Sequence, residues 1–388
     1  MSAISTFNTL RGQVAKSTLH QSLKSSAAFC GQKRYSSDVI VREATGNTYV
    51  RAGPGGRSST SGRVVTVFGC SGFLGRYLVS KLGQRGTQVI IPYRDEDTKR
   101  FLKPMGDLGA IVPLEFDLRD EEKIAQCIRH SDVVYNLIGK DYETKNFKYE
   151  DLNVATSYVL AKTAREHGVS RFIQVSAMGA HKDSPSRFLR TKAEGERVVR
   201  EEFPGATIVR PAQVFGHEDK LLSDIGYFKH MLPLYRQGEK RLRPVLVNDV
   251  AKALNQMEYD ESTIGKTYEL YGPKEYEYKE LVSQVSDQLK ETVKTVNVPK
   301  PIASLAAKIL DYAPWPLYLS PDEVIRAHLD NLPSGEGETF DDLGIIPRTI
   351  EDTILSFVRV YRNPSLFDVI PPDGSKPGDN AKEYHTSW

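Results

Sequence analysis

A glycine-rich turn is the feature of this sequence with the most obvious chemical use. The β-branched run VVTVF (64–68) is followed by GCSGFLG, whose glycines stand three residues apart. Glycine permits a tight strand-to-helix turn and a close backbone approach to phosphate, and the N-terminus of the next helix attracts anions. The turn predicts a dinucleotide site; a turn that serves only packing is the alternative. The residues expected to contact the cofactor here are Gly69, Ser71, Gly72, Phe73, Leu74, Gly75 and Arg76.

The end of the second predicted strand, TQVIIPYR (87–94), bears on which dinucleotide is bound. An acid at this point binds the ribose hydroxyls of NAD(H), whereas arginine matches the 2′-phosphate of NADP(H). Arg94 ends the strand, and strand alternation turns Asp95 elsewhere. With Arg76 as a second cation, the pattern favours NADP(H). NAD(H) is the less favoured alternative, and a third interpretation makes both arginines solvated surface charges.

Two other strand ends are expected to line the same cofactor, because ligands of open parallel sheets lie beyond the C-terminal ends of the strands. The third strand (111–118) ends in Asp117 and Leu118, which are placed to border an adenine. The fourth strand (132–139) ends in residues expected on the nicotinamide side. These are Asn136, Leu137, Ile138 and Gly139.

The elements that position these residues alternate regularly from Arg63 onwards. Strands that alternate with helices of about ten or more residues predict an α/β fold, a Rossmann-like doubly wound parallel sheet with helices on both faces. The regularity weakens after Gly216, which indicates a smaller C-terminal α/β lobe with a helix over 347–362. The predicted divisions are a presequence (1–37), a flexible arm (38–62), a dinucleotide-binding domain (63–260), the C-terminal lobe (261–362) and an extended tail (363–388).

The first 37 residues differ in charge from the rest of the chain. They carry five cations and no acid, and they are rich in serine. Such a segment is typical of a mitochondrial import signal, here with a processing site near Tyr35; a disordered basic arm is the alternative. The formal net charge of the chain is +2, so the remainder is mildly acidic. That balance argues against nucleic acid as the main partner.

Composition excludes several other classes of protein. No run of about 18 apolar residues occurs, so no transmembrane helix is predicted. The three cysteines, Cys30, Cys70 and Cys127, form no disulfide framework and fit a reducing compartment. No cysteine and histidine cluster has metal-ligand spacing, so no metal site is expected.

The stretch 300–319 predicts a helix with one apolar face. Ile302, Leu305 and Ile309 share helical spacing, and Trp315 and Tyr318 follow among prolines. This face can pack on its own domain, dock on a partner or contact lipid headgroups. Few lysines follow it, so electrostatic attraction alone would hold it weakly to a membrane.

Several strand ends carry the motifs of a known family. The strand–GxxGxxG–helix unit, NLIG (136–139), VSAMGA (175–180) and RPAQVFG (210–216) resemble the extended and atypical short-chain dehydrogenase/reductases. The resemblance runs over about residues 63–362. In active members of that family a strand-end serine and a YxxxK pair on one helix carry the proton transfer. The resemblance implies that Ser176, Lys192 and Pro211 contact the cofactor.

The tyrosine of the YxxxK pair is absent. Lys192 matches the lysine, but the residue one turn earlier on the same helical face is Phe188. A phenyl ring has no proton to transfer, and loss of a general acid costs roughly a hundredfold to ten-thousandfold in rate. No catalytic residue is therefore assigned, and Lys192 keeps a ribose-binding role. The alternative is that Lys192 is an ordinary exposed lysine and Phe188 a core residue.

A narrower resemblance covers segments that have no general role in dehydrogenases. GCSGFLGRYLV, YNLIGKDYETKNF, FLRTKAEGERVVR and IVRPAQVFGHEDK are similar to the nucleotide-binding accessory subunits of mitochondrial complex I, the NADH:ubiquinone oxidoreductase. The resemblance implies a peripheral subunit on the matrix side of the inner membrane that holds NADPH tightly without turning it over. Its expected partners are other complex I subunits at the junction of the peripheral and membrane arms. Its expected role is in assembly, stability or control of the active/deactive transition.

Two other functions are left open by the residues themselves. One is a free matrix NADP-dependent reductase or epimerase acting on a small carbonyl compound, with Tyr142 or a bound water as proton donor. The other is a redox sensor that binds NADP(H) and signals through its conformation.

Overall fold

The β-branched runs form strands close to their predicted positions. The computed structural model describes residues 38–41, 48–51, 56–310 and 320–363. In chain order the strands are β1 (Asp38–Val41), β2 (Thr48–Arg51), β3 (Val64–Phe68), β4 (Gln88–Tyr93), β5 (Ile111–Glu115), β6 (Val133–Asn136), β7 (Arg171–Val175), β8 (Thr207–Pro211), β9 (Val214–Phe215), β10 (Leu232–Leu234), β11 (Arg241–Leu242), β12 (Val245–Leu246), β13 (Thr267–Leu270), β14 (Tyr276–Glu277) and β15 (Thr295–Asn297).

The predicted helices alternate with these strands. They are α1 (Phe73–Gln84), α2 (Glu121–Ile128), α3 (Thr156–Glu166), α4 (Arg187–Glu202), α5 (Leu221–Tyr227), α6 (Val247–Met257), α7 (Tyr278–Leu289), α8 (Lys300–Leu310), α9 (Pro321–Ala327) and α10 (Ile354–Val358). Within the described ranges, none of them is long and apolar enough to cross a bilayer. The predicted presequence, Trp315, Tyr318 and residues 364–388 of the predicted tail lie outside the described residues.

Seven strands form one parallel sheet in the order β13-β8-β7-β6-β3-β4-β5. β3 pairs with β4 on one side and with β6 on the other. The chain therefore runs outward in one direction from β3 through β5, then returns and runs outward in the other direction from β6. Ligands of such sheets bind at this switch point, beyond the C-terminal ends of the strands. The order confirms the predicted doubly wound α/β fold.

Helices cover both faces of the sheet. On one face Leu78 and Leu82 of α1 and Leu254 of α6 are buried against the strands. On the other face Ile124 of α2 and Leu160 of α3 are buried in a second cluster. Full burial of one such side chain contributes about 1.5–3 kcal/mol. Burial of Leu78 and Leu82 therefore holds α1 against the sheet at the switch point.

A third apolar cluster forms the C-terminal lobe, and it draws on segments from both sides of the predicted boundary at residue 260. Leu222 and Ile225 of α5 pack there with Leu281 of α7 and Ile354 of α10. Conversely, β13 follows that boundary in sequence but pairs with β8 at the edge of the main sheet. The division into 63–260 and 261–362 is therefore corrected: the chain passes between sheet and lobe more than once.

The predicted flexible arm contains paired strands. β1 and β2 form an antiparallel pair within it. Just before β3, the Arg57 guanidinium donates to the carbonyl oxygen of Gly106 at 2.8 Å. This bond ties the end of the segment to the loop that precedes β5.

The predicted helix over 347–362 is much shorter in the structure. Only Ile354–Val358 is α-helical, with a single 3₁₀ turn after it. The Arg348 N–H donates to the Asp249 carboxylate at 2.9 Å, and the Thr349 hydroxyl donates to Asp352 at 2.7 Å. Such side-chain bonds compete with the helical pattern of the backbone and delay the start of the helix.

Candidate functional site

The glycine turn lies at the switch point and is too tightly packed for other residues. Gly69 has φ +81°, and a Cβ there would lie 2.9 Å from the Leu137 carbonyl carbon. A Cβ on Gly75 would lie 2.3 Å from the Gly69 oxygen. Gly72 is the N-cap of α1; none of the described side chains caps this helix, and its first turn holds no acid. The N–H groups of that turn and the helix dipole thus suit a phosphate.

The other predicted residues of the turn contribute backbone rather than side chains. Leu74 packs against the apolar core. The Phe73 ring contacts Tyr77 edge-on with centroids 5.8 Å apart. The carbonyl oxygen of Ser71 accepts a bond from Arg76 Nε at 3.1 Å. An anion at this turn would therefore meet N–H groups and glycine Cα atoms.

The two predicted cations differ in their surroundings. The Arg76 guanidinium is paired with the Glu218 carboxylate, with Nη1 2.7 Å from Oε2, and it stacks 4.5 Å over the Phe101 ring. Arg94 is exposed and has no ion pair with any described residue. Arg94 is thus the better placed of the two to pair with an incoming phosphate, whereas Arg76 is largely neutralised.

The ends of β4 and β5 enclose a cavity of about 320 Å³. Arg94, Asp117 and Leu118 line it together, and Arg119 and Phe147 also line it. The Asp95 carboxylate instead accepts from the Asp97 N–H at 3.3 Å and caps a 3₁₀ turn. Asp95 therefore caps its own turn and is not among the residues that line the cavity.

At the opposite end of the crevice, Lys192 of α4 is buried behind the end of β6. Its ammonium donates to the Ile138 and Val175 carbonyl oxygens at 3.4 and 3.5 Å. Burial lowers the pKa of Lys192 to about 8. A Cβ on Gly139 would lie 2.9 Å from Nζ, so a side chain there would require the ammonium to shift. Lys192 is therefore a buried side chain at the end of β6, and the alternative of an exposed surface lysine is wrong.

Two buried polar atoms beside this lysine have no hydrogen-bond partner among the described residues. They are the Ser176 hydroxyl and the Asn153 side-chain oxygen. Asn153 lies in a π-helical turn (Asp151–Ala155), and its amide donates to the Thr191 hydroxyl at 3.0 Å. Buried polar atoms are nearly always satisfied, so this pair fits a ligand with hydroxyl or amide groups. Asn153 was not among the residues that the sequence predicted to contact the cofactor.

Position 188 faces a second cavity, of about 430 Å³, which Pro211 also lines. The Phe188 ring meets the Tyr149 ring edge-on at 5.8 Å. The guanidinium carbon of Arg326, on α9 of the C-terminal lobe, lies 4.7 Å from the centroid of the Phe188 ring. The Tyr149 hydroxyl donates to the Asp141 carbonyl oxygen at 2.8 Å, and burial raises its pKa to about 12. This neighbouring phenol is a poor proton donor to a ligand at neutral pH.

The helix that carries Phe188 and Lys192 is capped from the C-terminal lobe. The Asp322 carboxylate of α9 accepts from the Ser186 hydroxyl at 2.7 Å and from the Arg187 N–H at 2.8 Å. A carboxylate at a helix N-terminus satisfies orphan N–H groups and opposes the positive dipole end. The lobe thereby fixes the start of α4, a contact that sequence reasoning missed.

Tyr142, the proton donor proposed for a reductase, lies on the loop after β6. Its hydroxyl accepts from the Lys140 ammonium at 3.4 Å, and that ammonium also lies 4.9 Å from the ring centroid. Among the described residues, no group of histidine, cysteine and acidic side chains could hold a metal ion. Cys70 and Cys127 are buried free thiols whose pKa values burial raises to about 12.

A glycine turn at the switch point of a doubly wound sheet, with a buried lysine opposite, defines a Rossmann-type protein of the dehydrogenase/reductase kind. The triphenylmethane reductase of Citrobacter sp., solved in complex with NADP(H), has the same fold with a TM-score of 0.61. It is 15% identical, and the match covers 76% of this chain and 99% of that chain, so it shows the fold alone. The NmrA-like family matches residues 61–317.

Closer relatives identify the family. The mitochondrial NADH-ubiquinone oxidoreductase 40 kDa subunit of Neurospora crassa is 44% identical, over 92% of this chain and 95% of that protein. The mitochondrial NADH dehydrogenase (ubiquinone) 1 alpha subcomplex subunit 9 of Arabidopsis thaliana is 43% identical, over 85% of each. The chain belongs to the NmrA-like family and to the family of these mitochondrial complex I subunits. The narrower resemblance inferred from the sequence is thus confirmed.

Proposed function

We propose that this chain is an accessory subunit of mitochondrial complex I that binds NADPH tightly and does not turn it over. The names of its relatives support the complex, and their mitochondrial designation supports the compartment. The proposal that the cofactor is not turned over rests on Phe188. The chain keeps the buried lysine of the family's proton-transfer pair but places a phenyl ring at the position of the acid.

The described residues fit a dinucleotide along the whole crevice. The turn from Gly69 to Gly75 would hold the pyrophosphate, and Arg94 would pair with the 2′-phosphate. Lys192, with the unsatisfied oxygens of Ser176 and Asn153, would hold the ribose of the nicotinamide half. NADP(H) is favoured over NAD(H) because Arg94 is available and Asp95 caps its own turn.

When bound, this cofactor supplies a hydride, and a hydride acceptor then needs a proton on its oxygen. In this chain the residue placed to deliver that proton has no ionisable hydrogen. Lys192 has a pKa lowered to about 8, but its ammonium is directed at the Ile138 and Val175 carbonyl oxygens. The expected result is retention of the reduced nucleotide as a structural element.

The proposed location is peripheral, on the matrix side of the inner membrane, beside other complex I subunits at the junction of the two arms. An exposed apolar stripe on α8 supports a docking role. Ile302, Leu305 and Ile309 are 60%, 63% and 68% exposed, while Ala303 and Ala307 on the same helix are buried. This stripe suits a partner subunit, with lipid headgroup contact as a further candidate. The proposed role is to support assembly and stability of that junction.

The proposal is tested on complex I purified from the source organism's mitochondria. Native mass spectrometry should find this subunit with one NADPH, and the subunit should migrate only within the large assembly. The isolated full chain, mixed with NADPH and a panel of carbonyl compounds, should show no sustained loss of NADPH absorbance. A subunit without nucleotide, or one that consumes NADPH, contradicts the proposal.

A free NADP-dependent reductase or epimerase is the second candidate, and the cavity beside Phe188 favours it. At about 430 Å³ this cavity has room for a small substrate. Lys240 lines it, and burial lowers the pKa of Lys240 to about 8. Sustained NADPH oxidation with any carbonyl in the panel, abolished by filling the cavity with Ala212→Phe, would support this second function.

A further inference from the structure

We propose that Arg119, held against Phe147, forms a cover over the adenine of the bound dinucleotide and sets its affinity independently of the 2′-phosphate. This inference rests on the proposed function, since it needs an adenine dinucleotide in the crevice. Neither residue belongs to the glycine turn, and neither was expected at the site from the sequence. Both come from segments after the C-terminal ends of strands β5 and β6.

The loop that carries Phe147 has an ordered shape. The Thr144 N–H donates to the Phe147 carbonyl oxygen at 2.9 Å, and the Phe147 N–H donates to the Thr144 hydroxyl at 3.1 Å. Two residues later Tyr149 is buried, with 2% exposure, and its hydroxyl bonds to the Asp141 carbonyl oxygen. The turn over residues 144–147 is therefore closed by hydrogen bonds, the chain after it is anchored by Tyr149, and Phe147 is the last residue of the turn.

Arg119 is positioned by three contacts. Its guanidinium carbon lies 5.0 Å from the centroid of the Phe147 ring, and Nη2 donates to the Asn146 carbonyl oxygen at 3.5 Å. Its own backbone N–H donates to the Asp117 carboxylate at 3.1 Å. Both Arg119 and Phe147 line the cavity of about 320 Å³ that Arg94, Asp117 and Leu118 also line. The guanidinium therefore lies beside the Phe147 ring at the wall of that cavity.

The charges around Arg119 favour a base over a phosphate. The Asp117 carboxylate is next to it, and Glu115 lines the same cavity. A phosphate placed there would meet two carboxylates, whereas an exocyclic amino group can donate to them. Lys123 is paired with Glu115 at 3.3 Å, which leaves Arg94 at the end of β4 as the cation for the 2′-phosphate.

Guanidinium and phenyl groups both stack on bases. A planar guanidinium stacks on aromatic faces, and such contacts are sequence-tolerant because they use the face of the base. This mode of binding does not depend on the 2′-phosphate. Removal of the cover should therefore weaken NADPH and NADH by the same factor, about tenfold for one stacking contact.

The experiment uses the full chain, freed of nucleotide and titrated separately with NADPH and NADH by isothermal calorimetry. Arg119→Ala and Phe147→Ala should each raise both dissociation constants by about tenfold. Arg94→Ala should raise the constant for NADPH alone. Arg129→Ala, an exposed arginine at the end of α2, is the matched control and should change neither constant.

Arg119→Lys separates stacking from charge, because lysine keeps the charge but not the plane. It should behave like Arg119→Ala. Recovery of NADPH binding in Arg119→Lys, or an effect of Arg119→Ala on NADPH alone, would make Arg119 a phosphate contact and overturn the inference. Circular dichroism melting of each variant checks that the fold is kept.

The inference and the proposed function fail in different ways. If the unsubstituted chain binds neither nucleotide, both are overturned. If the unsubstituted chain binds NADPH and Arg94→Ala weakens it, while Arg119→Ala and Phe147→Ala leave both constants unchanged, only the adenine cover is overturned.

Discussion

The two ends of the crevice are built differently. At the proposed adenosine end, Arg94 and Arg119 are exposed beyond β4 and β5. The proposed nicotinamide end is called the closed end here because its polar groups are buried: Lys192 and Ser176 are each only 6% exposed, and Arg326 lies over Phe188. Both ends carry groups that suit the proposed binding, whereas the closed end has Phe188 where the family resemblance implies a tyrosine. The difference is therefore between groups that would bind a cofactor and a group that would transfer a proton. Five predictions test it.

The largest effect is expected from Gly75→Ala, which removes the phosphate turn shared by both ends. The new Cβ would lie 2.3 Å from the Gly69 oxygen and 2.8 Å from the Cys70 Cα, so backbone must move. Overpacking costs about 1–3 kcal/mol, which in the bound state corresponds to up to about a hundredfold in Kd. Calorimetry with NADPH measures it. Gly205→Ala, whose Cβ would make only ordinary contacts at 3.5 and 3.6 Å, is the control, and equal binding by both variants would contradict the prediction.

Lys192→Met should weaken binding at the closed end by about 10- to 100-fold, because a hydrogen bond to a charged group contributes about 1.5–3 kcal/mol. The loss should be the same for NADPH and NADH, since the lysine faces the end away from the 2′-phosphate. Competition binding with both nucleotides measures it. Unchanged retention of NADPH would remove Lys192 from the site.

The same lysine should make stability depend on pH in the nucleotide-free chain. Burial lowers the folded-state pKa of Lys192 to about 8, below its ordinary 10.5. Between these values the unfolded chain binds the proton and the folded chain does not, so the free energy of unfolding rises with pH across that window. Below about pH 8 Lys192→Met should be more stable than the unsubstituted chain by roughly 1–3 kcal/mol, with the gap closing towards pH 10.5. Urea unfolding at four pH values checks the gap, and a constant gap would contradict the assignment.

Asp322→Ala should lower the free energy of unfolding by about 1–2 kcal/mol, as expected when a helix cap is lost. It removes the acceptor for the Ser186 hydroxyl and the Arg187 N–H at the start of α4. Thermal melting measures the change, with exposed Asp287→Ala of α7 as the control. An Asp322→Ala chain as stable as Asp287→Ala would show that the lobe does not support this helix.

The smallest effect on binding is expected from Phe188→Tyr, the sharpest test of the closed end. The hydroxyl adds one atom beside a cavity of about 430 Å³, so NADPH affinity should change less than about twofold. If the missing acid is the only defect, slow NADPH oxidation with small carbonyls should appear in this variant and not in Phe188→Leu. No activity in either variant would mean that the closed end lacks more than the phenol.

The sequence placed the glycine turn and the ends of β4 to β6 through local periodicity and the rule that ligands lie beyond strand ends. Lys192 was placed by the family resemblance, and the structure shows that it is buried. Asp322 was missed because it is 136 residues from Ser186, and no local pattern marks such a contact. Phe147 belongs to a segment noted only for its family resemblance, and no local pattern singled out Arg119.

Other errors have the same physical origin. The helix expected over 347–362 was interrupted by the bond from Arg348 to Asp249, 99 residues away. The boundary at residue 260 failed because β13 completes the main sheet from within the stretch assigned to the lobe. Apolar patterning predicts that a segment is buried, but it does not say against which part of the chain.

The cap by Asp322 has a mechanical consequence. Asp322 stands at the second position of α9, in the segment that follows α8 and its exposed apolar stripe. A contact that holds α9 in place also keeps Asp322 on the first turn of α4. Lys192 is on the same helix, so its position depends on that contact. A neighbouring protein that holds α9 in place would then raise the affinity for the nucleotide. Because coupling between two binding sites is reciprocal, bound nucleotide would raise the affinity for that neighbour by the same factor.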